Sequence, residues 1–207
     1  MDKENEKFFN KDNFTFWVIS FFVYCLIGWL YEVIWEAAIG HGFVNRGFLF
    51  GPYLPIYGFG MLTLLYLLRN MIKNKVKIGK VPVTPIAIFL SVLVIASVIE
   101  YAASFIMELL FHKRWWDYSY DLINLNGRIS LRNSSCLALG ATCLIYVVFP
   151  LLKKFVPKIP IKVQKILSAS LIIIFCIDFI ITILGYLVWM ERIHGWKNSY
   201  CFWYSCK

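Results

Sequence analysis

Residues 166–190 read ILSASLIIIFCIDFIITILGYLVWM, and Asp178 is the one charged residue among them. About 20 consecutive apolar residues in a helix cross the roughly 30 Å of bilayer hydrocarbon, so this run is long enough to span a membrane. Four further apolar runs precede it, at 14–39, 52–72, 82–111 and 134–152. The sequence therefore predicts an all-α, polytopic membrane bundle of about five transmembrane helices.

Composition supports this class. The 207 residues are 60% hydrophobic and 16% charged, against about 45–50% apolar and about 25% charged in an average soluble domain. The formal charge of +9 sits in short clusters between apolar runs, which is a membrane pattern and argues against a nucleic-acid partner. We expect a cytoplasmic tail (1–13), one transmembrane domain (14–190) and an aromatic C-terminal tail (191–207).

Basic residues indicate the orientation. Two connections each carry five of them, namely Arg69, Lys73, Lys75, Lys77 and Lys80, then Lys153, Lys154, Lys158, Lys162 and Lys165. The positive-inside rule places both in the cytoplasm, although the connection 112–133 is basic too. We therefore expect a bacterial cytoplasmic (inner) membrane protein with its N-terminus inside and its C-terminus outside.

The ends of the chain suggest no processing or metal site. The first apolar run is longer than the core of a signal peptide, which predicts an uncleaved first span. Cys201 and Cys206 in the tail could form a disulfide, but two ligands do not make a zinc site. We expect no metal and no cofactor.

The connection after the first span is unusual. Between residues 39 and 60 it holds six glycines and two prolines among aromatic residues. Irregular backbone at membrane depth must have its amides satisfied by protein or by a wet cavity, so a re-entrant element is one interpretation. A helical hairpin whose glycines allow close packing is the other.

A repeat is discernible. The first and third spans both carry glutamates, and each is followed by a loop with an Asn, Arg and Gly cluster and then by another span. Two-helix units in tandem would be related by an axis along the membrane normal, as in parallel-repeat transporters. Duplication and chance resemblance both remain open.

Five acidic residues fall within the apolar runs: Glu32, Glu36, Glu100, Glu108 and Asp178. An acid at a helix centre costs about 2.5–3.5 kcal/mol on insertion scales, so partners must offset the cost. We predict a site in the outer half of the bundle that binds a small cationic or polar substrate. Its predicted substrate-binding residues are Glu32, Arg46, Glu100, Asn126, Arg128 and Asp178.

The charges of these residues suggest a role for each of them in the site. Glu32 and Glu100 would bind or relay a cationic group, Arg46 and Arg128 would hold the acids when the site is empty, and Asp178 would close the bundle from the last helix. Structural pairs of glutamate and arginine, or glutamates solvated near the interface, are the competing interpretations.

The end of the third span is rich in aromatic and basic residues, which is typical of a helix end at the lipid headgroups. Trp115, Trp116 and Tyr118 are the predicted interfacial residues, with a headgroup or ligand pocket as the alternative. His41 and His112 could transfer protons, but a lone histidine is more often a hydrogen-bonded loop residue.

Enzyme motifs are lacking: no phosphate-binding loop, H-E-x-x-H or G-x-S-x-G occurs. We therefore predict that the chain is not an enzyme. A membrane-embedded enzyme that acts on a lipid headgroup, with Glu100, His112 and Asp117 as acid–base groups, is a minor alternative.

Four blocks resemble a family: GWLYEVIWE (28–36), NRGFLFGPYLPIYGFG (45–60), EYAASFIMELLFHKRWWDYS (100–119) and LNGRISL (125–131). Together they resemble the ABC transporter permease group called type IV or CmpB-like, over most of residues 14–150. The resemblance implies these signature positions: Glu32, Arg46, Gly47, Gly51, Pro52, Pro55, Tyr57, Gly58, Glu100, Trp115, Trp116, Asp117, Tyr118, Asn126, Gly127 and Arg128.

The resemblance also implies that the chain is a permease, since the family consists of small bacterial membrane proteins of this kind. Such a permease would work with a separate ATPase subunit and pair as a homodimer. The alternative is an accessory, assembly or lipid-binding subunit that moves nothing itself.

Overall fold

The computed structural model describes residues 13–40, 42–43, 45, 47–73, 77–78, 81–82, 84–112, 114 and 116–195. Most of the two predicted tails, with Cys201 and Cys206, therefore lies outside the described residues, and so do His41, Arg46 and Trp115.

Helices dominate the described part of the chain, which confirms the predicted fold class. They are α1 (Phe14–Ala38), α2 (Pro55–Leu67), α3 (Arg69–Lys73), α4 (Thr84–Phe111), α5 (Leu131–Cys143), α6 (Phe149–Phe155) and α7 (Ile161–Gly195). Two small antiparallel pairs accompany them: β1 (Lys77–Ile78) with β2 (Val81–Pro82), and β3 (Asn124–Leu125) with β4 (Ile129–Ser130).

Each predicted apolar run contains a helix, and four helical stretches among the described residues are long and apolar enough to cross a membrane. The second run differs. Its main helix, α2, has 13 residues and is about 20 Å long, which is shorter than the hydrocarbon core.

The short helix α2 begins next to the middle of α1. The backbone N–H of Leu54 donates to the carbonyl of Cys25 (3.1 Å), and Cys25 lies near the middle of α1. Leu54 is extended, as a residue before proline prefers, and Pro55 starts the helix where no N–H partner is needed. The chain thus reaches half the depth of α1 before α2 starts, which is the irregular element that the glycines predicted.

The antiparallel pair of α1 and α2 packs closely through glycine. A Cβ built on Gly28 would lie 2.2 Å from Cγ of Tyr57, and one built on Gly58 would lie 2.5 Å from Sγ of Cys25. Only hydrogen fits at these two positions, so the helix axes can approach each other.

The second hairpin pairs α4 with the rod formed by α5 and α6. Between α5 and α6 the chain makes a π-helical turn at Leu144–Val148. Pro150 follows in α6, and its ring would clash with the carbonyl four residues earlier in a regular helix. The wider π turn accommodates that proline without ending the rod.

The core of the bundle is formed where the two hairpins meet, and α7 packs outside it against α1. The core includes Trp17, Tyr24, Leu65, Ile88 and Ile145. Most apolar side chains described on α7 are exposed, as expected of a helix surrounded by lipid.

Candidate functional site

Glu32 of α1 bonds the first residues of α2. The hydroxyl of Tyr57 donates to Oε1 of Glu32 at 2.6 Å. Tyr57 is held there because its side chain lies directly against Gly28, one turn before Glu32. The close packing of α1 and α2 therefore positions this glutamate.

Glu100 of α4 is buried, with 8% of its surface exposed. Its Oε1 accepts hydrogen bonds from Nδ2 of Asn133 (3.0 Å) and from the hydroxyl of Tyr118 (3.4 Å). Its Oε2 is buried and makes no hydrogen bond of good geometry within the described residues, although the hydroxyl of Ser134, one residue after Asn133, lies close enough to interact with this carboxylate. A buried carboxylate oxygen without a donor is costly, so this position calls for a bound positive charge or proton.

Glu32 and Glu100 lie close enough for their charges to interact, and Tyr57 and Tyr118 lie close enough to interact in the same way. We call these five residues, Glu32, Tyr57, Glu100, Tyr118 and Asn133, the acidic cluster.

The two hairpins supply the cluster in matching ways. Tyr57 is the third residue of α2 and donates to a glutamate of α1, while Asn133 is the third residue of α5 and donates to a glutamate of α4. This correspondence supports the repeat that the sequence suggested.

Arg128 is paired with a different glutamate of α4. Its Nη2 lies 2.6 Å from Oε2 of Glu108, and its Nη1 donates to Oγ of Ser104 (3.3 Å). The guanidinium also lies over the rings of Tyr101 and Phe105. Since residues four apart share a helix face, Ser104 and Glu108 together hold this buried arginine, and its predicted partner Glu100 lies a turn further down the helix.

The turn between β3 and β4 directs the side chain of Arg128 toward α4. Asn126 and Gly127 both have positive φ, 54° and 68°, which is the geometry of a type I′ turn and the reason for an Asn-Gly pair. The side chain of Asn126 donates to the hydroxyl of Tyr101 (3.0 Å) and its carbonyl accepts from Arg114 (3.2 Å). The structure thus gives Asn126 contacts that fix the turn.

The loop before this hairpin is held by its own side chains. Nε1 of Trp116 donates to the carbonyl of Arg128 (2.9 Å), and the N–H of Tyr118 donates to that of Gly127 (2.7 Å). The hydroxyl and N–H of Ser119 donate to Asp117 and lower the pKa of its carboxyl. Trp116 and Tyr118 therefore contact the bundle, while their place at the headgroups stays a prediction.

Asp178 lies at the midpoint of α7 and holds the loop before α2. Its carboxylate accepts from the N–H groups of Phe50 (3.2 Å) and Gly51 (2.9 Å) and from the hydroxyl of Tyr53 (2.5 Å). The hydroxyl of Thr182 adds a weaker contact at 3.3 Å. The irregular backbone thus has its amides satisfied by a side chain, as burial in a membrane requires.

We expect Asp178→Asn to loosen residues 47–54 while the helices stay folded. The amide group is neutral and has one acceptor oxygen, so it cannot reproduce the charge-assisted bonds to three donors. Hydrogen exchange of that loop should increase about tenfold, which corresponds to about 1.4 kcal/mol. Thr182→Val removes only the long contact and is the control; equal exchange in both variants would contradict the clamp.

Three residues of the acidic cluster were not assigned to the site from the sequence. Tyr118 was predicted to be interfacial, Tyr57 was given only as a signature position of the resemblance, and Asn133 was not singled out. A tyrosine or an asparagine near a helix start has several ordinary roles. For Tyr57 and Asn133, the feature that could have identified them is the repeat, because each is the third residue of the second helix of its hairpin. Arg46 lies outside the described residues.

Two cavities lie away from the acidic cluster. One of about 460 Å³ is lined by Phe50, Asp178 and isoleucines of α7, and one of about 640 Å³ lies where α1, the end of α6 and α7 meet. Neither is lined by Glu32 or Glu100, although Asp178, another of the predicted site residues, lines the smaller one.

Comparison with known proteins gives one family. A family model described as "Putative ABC-transporter type IV" matches residues 19–183. Searches of curated proteins and of solved structures give no match. The matched segment contains both hairpins, the acidic cluster and Asp178.

Proposed function

The chain belongs to the CmpB-like ABC-transporter type IV family, and from that premise we propose that it is the membrane permease of a bacterial transporter. The permease moves or binds a small cationic or polar substrate at the acidic cluster. In this proposal a separate ATPase subunit supplies the energy, because the sequence has no phosphate-binding loop, and two copies pair as a homodimer.

The proposed orientation is N-terminus inside and C-terminus outside in the cytoplasmic membrane. It is supported by the position of the basic connections. Thr15 near the start of α1 bonds Gln164 at 2.9 Å, so the lysines around the start of α7 lie at the N-terminal end of α1. The antiparallel helix α2 brings Arg69 and Lys73 to that same end, as the positive-inside rule requires.

The unpartnered oxygen of Glu100 is the observation that carries the proposed site. A structural carboxylate in apolar surroundings normally has its acceptors filled. Among the described residues, one oxygen of Glu100 is buried with only the misaligned hydroxyl of Ser134 near the carboxylate, and Glu32 adds a like charge. A proton or small cation held at Glu100 offsets both the burial of this oxygen and the repulsion between the two glutamates. Its departure restores both unfavourable terms.

Access to the cluster lies on the side of the loop between α4 and β3. Tyr118 belongs to that loop and reaches Glu100 by a long hydrogen bond of 3.4 Å, which is weak enough to exchange for a ligand. We propose that displacement of Tyr118 opens the site to the outside, while Asn133 stays on its helix.

Substitution of Glu100 separates a ligand site from a structural acid. We expect Glu100→Gln to leave the purified protein as stable as the wild type or more stable, because it removes an uncompensated buried charge. The measurement is thermal unfolding in nanodiscs with a panel of potassium, magnesium, choline, ethanolamine and spermidine. At least one cation should raise Tm in the wild type and have no effect on Glu100→Gln.

Asp121→Asn is the matched control, since it removes an acid from the outer loop without touching the cluster. Its response to the cations should equal that of the wild type. Destabilisation by Glu100→Gln, together with unchanged Tm responses, would show that Glu100 only stabilises the bundle and would contradict the proposed site.

A further inference from the structure

The elbow between α6 and α7 borders the larger cavity. Here a 3₁₀ turn (Val156–Lys158) and two prolines reverse the chain before Ile161 starts α7. The first residues of α1 form the opposite wall, and the cavity volume is about 640 Å³. The lining residues are Asn13, Phe16, Trp17, Lys153, Val156, Pro157, Lys158, Ile159, Pro160, Ile161 and Gln164.

Gln164 makes this elbow rigid. Its buried amide nitrogen donates to the carbonyls of Val156 (3.0 Å) and Ile159 (2.8 Å), and its oxygen accepts from Thr15 of α1 (2.9 Å). Because one side chain ties the turn to both helices, the walls of the cavity are fixed in advance of any ligand. A preformed site avoids the entropic cost of ordering its walls.

The lining of this cavity contains two lysines and no acidic residue. Nζ of Lys153 lies over the ring of Phe149 (4.5 Å) and Nζ of Lys158 over that of Phe155 (5.5 Å). Neither lysine makes an ion pair with any residue that the structure describes. The sequence from 134 to 177, which supplies most of the lining, contains no aspartate or glutamate, so the charge of these walls is complementary to an anion.

The remaining lining selects an amphipathic ligand. Apart from the lysines, Asn13 and Gln164, its members are aromatic, aliphatic or proline side chains. Large apolar side chains at its rim, such as Phe14, Phe155 and Ile161, are more than half exposed. A soluble anion would leave this apolar surface uncovered, whereas a phospholipid would cover it with its acyl chains.

We propose that this cavity binds the phosphate headgroup of an anionic phospholipid from the leaflet next to the basic connections. Lys153 and Lys158 contact the phosphate, and the ring of Trp17 lies beside the glycerol region. The lipid would join α1, α6 and α7 at the end where the basic connections lie. This site is independent of the acidic cluster.

Lipid titration with charge-matched variants tests the site. The full chain in neutral detergent is titrated with phosphatidylglycerol or phosphatidylcholine, and bound lipid is counted by native mass spectrometry. We expect K153Q/K158Q to bind phosphatidylglycerol about thirtyfold more weakly than the wild type, because each basic residue near an anionic lipid contributes about fivefold. K162Q/K165Q loses the same charge from α7, outside the cavity, and should bind as the wild type does.

Four results would overturn the proposal. Equal losses in the two double variants would show general attraction to positive charge, and equal binding of phosphatidylcholine would remove the role of the anion. Stabilisation by inorganic phosphate or glycerol 3-phosphate that matches that of phosphatidylglycerol would identify a soluble ligand. Unchanged binding in K153Q/K158Q would place the lipid elsewhere.

Discussion

Gly28→Ala is expected to prevent α1 and α2 from packing against each other. The added Cβ would meet Cγ and Cβ of Tyr57 at 2.2 and 2.6 Å. These atoms are at the root of the side chain, so relief requires movement of α2 as a whole. Overpacking of a well-filled core costs about 1–3 kcal/mol, and a contact this close to backbone lies at or above the upper end.

Gly60→Ala is the matched control for Gly28→Ala. Gly60 also lies inside a helix of the same hairpin, but a Cβ there meets no atom within 4 Å. Both substitutions gain about 1 kcal/mol of helix propensity, so a difference between them reports packing alone. We expect wild-type amounts of monodisperse protein for Gly60→Ala and little or none for Gly28→Ala.

Membrane abundance and Tm after extraction in mild detergent are the measurements. Similar values for the two variants would contradict the close approach of α1 and α2. Tyr57 also bonds Glu32. Any surviving Gly28→Ala protein should therefore have an altered acidic cluster, with cation responses that differ from those of the wild type.

Much of the fold could be predicted from sequence because each apolar run is long and distinct. The glycines and prolines of the 39–60 connection correctly predicted irregular backbone at depth. The sequence could not predict how far along α1 this loop extends, because that position depends on which carbonyl of α1 accepts the hydrogen bond from Leu54.

The site was predicted less completely. Glu32 and Glu100 were predicted as site residues because they are acids in apolar runs. In the structure they lie close enough for their charges to interact. Arg128 was expected to hold the acids of the site, and in the structure it pairs with Glu108, one of the five acids in the apolar runs. The Asn-Gly turn sets the direction of the arginine, and packing sets its position along α4. Such pairings depend on three-dimensional register, which one sequence does not reveal.

The pair of Arg128 and Glu108 gives the second large effect. We expect Glu108→Gln to lower the free energy of unfolding clearly, because it leaves the guanidinium of Arg128 buried without its anion. The loss should be smaller than for a fully buried pair, since 34% of the Glu108 side chain is exposed against 10% for Arg128. The measurement is unfolding in a denaturing detergent, followed by tryptophan fluorescence.

Arg114→Gln is the control for this pair. Arg114 contacts the same glutamate at 3.2 Å, but its side chain is 38% exposed, so the loss should be under about 1 kcal/mol. A loss as large as that of Glu108→Gln would show that the outer arginine, and not the buried one, stabilises the loop.

The double variant E108Q/R128Q decides whether the pair acts as a unit. Removing both charges abolishes the unpaired guanidinium, so the double variant should be more stable than Glu108→Gln alone. Coupling of this kind is expected for residues in direct contact, and additive losses would contradict it. Since Glu108 shares α4 with Glu100, this result also separates the two acids: loss of the paired glutamate destabilises the bundle, whereas loss of the unpaired one does not.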